Sequence, residues 1–115
     1  MGIQAEIVTA LASVAGGRVY PQVAPQSAAK PFVVYRMTGS DPLMTIDSVV
    51  HITRYSFVFD CWAGTAQSAL DIAASLRTAL EIDSLKWVRD PAPENGYSPE
   101  SDEYVESVAY SFWQV

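Results

Sequence analysis

The stretch His51–Trp62, HITRYSFVFDCW, decides how the rest of this chain is arranged. Every second residue from Thr53 onward, namely Tyr55, Phe57, Phe59 and Cys61, is apolar or aromatic, which is the period-2 face of a half-buried strand. The alternate residues Arg54, Ser56, Val58, Asp60 and Trp62 make a mixed second face. Gly64 breaks the strand, and Thr65 is placed to cap a following helix with its hydroxyl. Strand, break and helix together predict the central strand of a small sheet with its covering helix.

Working outward, Ile3, Ile7, Ala10, Leu11 and Val14 recur at helical spacing, and Gly16-Gly17 stops that helix. Arg18-Val19-Tyr20 is a short extended piece cut by Pro21, and the stretch to Pro31 holds three prolines and no period, as a loop or irregular edge does. Phe32–Thr38 is dense in β-formers and predicts a buried strand, ended by Gly39-Ser40-Asp41-Pro42. Leu43–Val50 reads as a hairpin arm or a mobile loop.

After the central strand, Ala66, Ala69, Leu70, Ala73, Leu76 and Leu80 share a helical face, its alanines allowing close approach to a sheet. Leu85–Asp90 predicts a short strand, Pro91–Asp102 a turn-rich loop, and Glu103–Val115 a long closing strand. The resulting order α-β-β-β-α-β-β predicts an α+β fold: a small antiparallel sheet with two helices packed on one face, in a single domain over residues 1–115.

Composition sets bounds on function. With 50% hydrophobic and 17% charged residues in 115, the chain is globular. One cysteine and one histidine make neither an internal disulfide nor a zinc site, which suits folding in a reducing cytoplasm. The start MGIQAE lacks the basic residues of a secretory signal, and no apolar run approaches the length of a membrane span. The net charge of −6 is uneven. Acids and bases balance up to Leu80, whereas from Glu81 onward eight acids face only Lys86 and Arg89. That sign disfavours adhesive nucleic-acid binding.

No catalytic constellation emerges. His51 has no nucleophile in a recognisable context, Cys61 reads as a buried thiol, and Gly16-Gly17 lacks the strand and Lys-Ser/Thr of a phosphate loop. Glu94, Glu100, Asp102 and Glu103 form an acidic patch without the spacing of a calcium loop. No cofactor is called for. The anomaly is the second face, where Trp62 and Trp113, joined by Val58, Val105, Ala109 and Val115, would leave an apolar strip in water unless a partner or a loop covers it. With Leu43, Met44 and Ile46 of the arm, these residues are the candidate assembly interface. A rival reading makes Tyr55, Phe57, Phe59, Tyr110 and Phe112 the lining of a small-ligand pocket beneath the helices.

The runs Arg18-Val19-Tyr20-Pro21, Ala24-Pro25-Gln26 and Pro31-Phe32-Val33-Val34-Tyr35, then Phe57–Ala63 and Leu76–Leu80, resemble the tail-completion proteins of long-tailed phages and prophages. These are head-to-tail joining, tail-terminator-like proteins. The resemblance covers nearly the whole chain. It implies a non-enzymatic virion protein at the head–tail junction, made in the bacterial host cytoplasm. It further implies a homo-oligomeric ring, commonly hexameric, that caps the tail tube and meets the head connector, with no sequence-specific nucleic-acid or membrane binding.

Overall fold

The pattern of residues 51–62 becomes β3, His51–Ala63, with a strand on either side of it. The computed structural model describes residues 3–22, 30–44, 51–82, 85–91, 96–98 and 103–114. In order these give α1 (Ile3–Ala10), a 3-10 turn (Val14–Gly17), β1 (Val19–Pro21), β2 (Phe32–Met44), β3, α2 (Ala66–Leu80), β4 (Lys86–Asp90), β5 (Gly96–Ser98) and β6 (Glu103–Gln114). The sheet runs β1-β2-β3-β6-β4, and β5 pairs with the start of β6. The α+β class and the expected element order both hold.

The sheet is mixed rather than wholly antiparallel, because β1 lies parallel to β2, Val19 opposite Val33. Parallel neighbours cannot be joined by a tight turn. The pair is pinned by Val33 N–H to the Arg18 carbonyl at 2.9 Å and by Arg18 Nε to the Pro31 carbonyl at 2.9 Å.

Gly39–Pro42 does not end β2 as expected. The register against β3 slips between Met37 and Gly39, leaving Thr38 as the extra residue of a bulge, and pairing resumes to Met44 opposite His51. Pro42 is tolerated because β2 past Tyr35 has no strand on its outer side among the described residues, so the missing N–H breaks no ladder. The arm is thus a hairpin strand as far as Met44. Residues 45–50 lie outside the described part. The long ribbon makes the molecule elongated, 53 × 25 × 23 Å, with a radius of gyration of 15.1 Å against about 13 Å for a compact chain of this length.

Both helices cover one face. Thr65 caps α2 as predicted, its hydroxyl accepting from Ser68 N–H at 3.1 Å. Ala69, Ala73, Leu76 and Leu80 form the buried stripe, while Leu70 is rotated off it and stands 49% exposed. Ile3, Ile7, Leu11 and Val14 are buried, and the chain leaves the first helix through left-handed Ala15, Gly16 and Gly17. Two of those three positions are glycines, which take positive φ without a Cβ penalty. Beneath the helices the register aligns Val33 and Tyr35, Phe57, Phe59 and Cys61, and Val108, Tyr110 and Phe112 into one core.

Candidate assembly surface

Alternation sends the other residues of β2, β3 and β6 to the face without helices. There the sequence expectation of one apolar strip is divided in two by register. Trp62 lies opposite Val105, and Val58 opposite Ala109, whereas Trp113 lies opposite Arg54. The two tryptophans therefore sit at opposite ends of β6, about 27 Å apart at 3.4 Å per residue. At one end Trp62 stacks on Phe32 with ring centroids 6.4 Å apart, and Tyr20 meets Phe32 edge-on at 6.2 Å. At the other end Arg54 lies over the Trp113 ring at 6.0 Å. Val58 and Ala109 are buried, and both tryptophans are half-buried.

Between the two ends runs a polar band. Asp60 accepts from Arg36 Nη1 at 2.7 Å and from the Ser107 hydroxyl at 2.7 Å. Ser111, fully buried, receives Arg54 Nε at 3.2 Å, lies 3.2 Å from the Ser56 hydroxyl, and donates to Asp90. Arg54 also stands 3.7 Å from Asp90. Asp60, Arg54 and Asp90 on this face are thereby each met by a partner, which is what a half-buried polar group requires.

Of the remaining predicted interface residues, Leu43 and Met44 are placed by backbone pairing with Ile52 and His51, and Ile46 lies outside the described residues. Glu94, Glu100 and Asp102 also lie outside, while Glu103 opens β6 opposite Ser98. Two further acids of the charged third are internally neutralised: Asp90 as above, and Glu81 by Arg89 at 2.6 and 2.9 Å. Glu81 also accepts from the Tyr110 hydroxyl at 2.5 Å. The Arg89 bonds hold the Glu81 carboxyl below the usual carboxylate range, and burial followed by the Glu81 bond pushes Tyr110 up to about 12.

The rival ligand pocket is filled. Phe57, Phe59, Tyr110 and Phe112 are at most 1% exposed and lie ring against ring, 5.9–6.3 Å between centroids. Cys61 sits in the same core, where burial pushes its thiol up to about 12. Among the described residues no group of three His, Cys, Asp or Glu is arranged for a metal, and no helix is long and apolar enough to cross a membrane.

The result is a helix-backed sheet whose second face has aromatic ends and a paired polar band between them. The chain belongs to the tail completion protein gp17 family, whose model matches residues 6–114. Among solved structures it is similar to a chain of the virion of a native gene transfer agent particle, at 18% identity and TM-score 0.67 over 96% of this chain and 92% of that one. It is also similar to the gp17 protein of bacteriophage SPP1, at 18% identity and TM-score 0.52 over 97% and 88%. At these identities the likeness speaks to the fold. No curated protein matches the chain.

Proposed function

We propose that the protein is a structural, non-enzymatic bacteriophage or prophage component of the tail-completion type. It assembles as a ring, hexameric by resemblance, at the end of the tail tube and joins the tail to the head connector. The observation that carries this reading is the family match over residues 6–114, and the similar fold in a virion particle supports it. Its partners are then copies of itself, a tail-tube protein and a connector protein, and its place is the head–tail junction. The acidic third, with Glu94, Glu100, Asp102 and Glu103, offers an outward or rim patch to a basic neighbour, a contact that weakens as salt screens it.

Removing the gene from its phage tests the reading. Filled heads and finished tails should accumulate unjoined, and supplying the protein should restore joining. Fully joined particles without it overturn the proposal. Neutralising Glu94, Glu100 and Asp102 together should flatten the salt dependence of connector or tube binding. Equal salt slopes for variant and wild type remove the patch from the account.

A further inference from the structure

β4 is an edge strand whose outer side meets no other strand among the described residues, and four of its five residues are exposed. Trp87 is 36% and Val88 41% exposed, adjacent apolar side chains on an open sheet edge. Edges carrying Lys, Arg and Asp normally repel a passing strand. Here the order Lys86-Trp87-Val88-Arg89-Asp90 is self-complementary about its centre. Turned antiparallel on a second copy with Val88 opposite Val88, it places Lys86 opposite the other copy's Asp90, and Trp87 opposite Arg89.

Faces and hydrogen-bond parity agree with that register. Trp87 and Arg89 both project on the helix side, Trp87 edge-on to Tyr110 at 6.1 Å and Arg89 on Glu81. Lys86, Val88 and Asp90, opposite Trp113, Ser111 and Ala109, project on the other. The Tyr35 carbonyl points outward to Gln22 N–H at 2.8 Å. Counting the alternation of the antiparallel ladder across Phe59, Val108 and β6 turns the N–H and C=O of Trp87 and Arg89 to the free edge. These are the residues that must exchange bonds in a pair centred on Val88. Lys86 makes no ion pair with any described residue, so its charge is available.

We propose that two copies of the chain join through their β4 strands, paired antiparallel about Val88 across a two-fold axis. The contact is isologous. It extends the sheet through both copies, with two Lys86–Asp90 pairs on one face and two Trp87–Arg89 cation–π contacts on the other. It goes beyond the ring reading and does not depend on it, because ring contacts relate copies head to tail.

Cysteine capture tests the pairing. Facing residues of a non-hydrogen-bonded antiparallel pair have Cα atoms about 4.5 Å apart, inside the range of about 4.4–6.8 Å that a disulfide spans. Under mild oxidation of the purified full chain, Val88→Cys should form a covalent dimer about tenfold or more faster than Leu70→Cys, a cysteine on the exposed side of α2, read on a denaturing gel. Adding Lys86→Asp to Val88→Cys should slow capture by setting two carboxylates against each other. Equal rates for the two cysteines, or no slowing by Lys86→Asp, overturn the proposal. Ring assembly, measured separately by native mass, does not enter the gel result.

Discussion

The Tyr110 hydroxyl and Glu81 share a 2.5 Å hydrogen bond that ties the exit of α2 to the middle of β6, and Arg89 of β4 binds the same carboxylate. Three elements thus meet on one acid. Tyr110→Phe should cost about 1.5–3 kcal/mol in urea unfolding, as expected for a bond to a charged acceptor. It should also change the pH response. A folded Tyr110 near 12 holds its proton where the unfolded chain, near 10, has lost it. Its stabilisation is complete below about pH 10 and is lost as pH rises through about 12, so the variant's alkaline limb should be flatter. Glu81 has the opposite sense. Its lowered pKa contributes stability above the ordinary carboxylate value that is lost as pH falls, and Glu81→Gln should flatten the acid limb.

Cys61 should be silent toward alkylating reagents in the native protein at pH 8. It is fully buried and its thiol is pushed up to about 12, first by burial and then by Asp60 and Glu106, so little thiolate forms and none is reachable. Labelling should appear only in step with urea unfolding measured by fluorescence. Rapid native labelling would contradict the packing described.

Ala73→Leu should destabilise by about 1–3 kcal/mol, because the added carbons have no room where α2 lies on the sheet. Ala73 is 5% exposed within the core. Ala74→Leu, one position round on the exposed side, is the matched control and should shift the unfolding midpoint little. Similar losses for both variants would mean that α2 is seated differently.

If the chain assembles as the proposed ring, Trp113→Glu should lower ring yield more than it lowers the melting temperature. The indole is half-buried at the end of β6 and touches Arg54 rather than the main core, so a carboxylate there keeps a cationic neighbour. Trp62→Glu should cost more folding stability, since that ring stacks on Phe32 within its own subunit. Normal ring yield from Trp113→Glu would take this end of the face out of the assembly contact.

The faces of the strands were legible in the sequence because alternation is local. Phe57, Phe59 and Cys61 point to the helices for the same reason that Val58, Asp60 and Trp62 point away. What alternation leaves open is register. Sliding a strand by two residues keeps every side chain on its face yet changes every cross-strand partner. That is why the pairing of Asp60 with Ser107, or Ser111 with Asp90, is not predictable from sequence, and why Trp62 and Trp113 look like one strip there. Gly39 and Pro42 suggest a break in the sequence because their meaning depends on position: inside a sheet they would end a strand, whereas at this edge they make a bulge and omit an unused donor. The Glu81–Tyr110–Arg89 cluster joins residues 8 and 29 apart in sequence, across three elements, and no local pattern marks it.

The position of β6 between β3 and β4 governs when the protein can fold. During synthesis β2 and β3 can close as a hairpin early, but β4 emerges with no neighbour, since its partner strand is made after it. Until Tyr110 and Phe112 arrive, Phe57 and Phe59 face water on one side and α2 has half a floor. The sheet therefore cannot be completed until residues 103–114 are made, and the contacts that complete it are of large sequence separation.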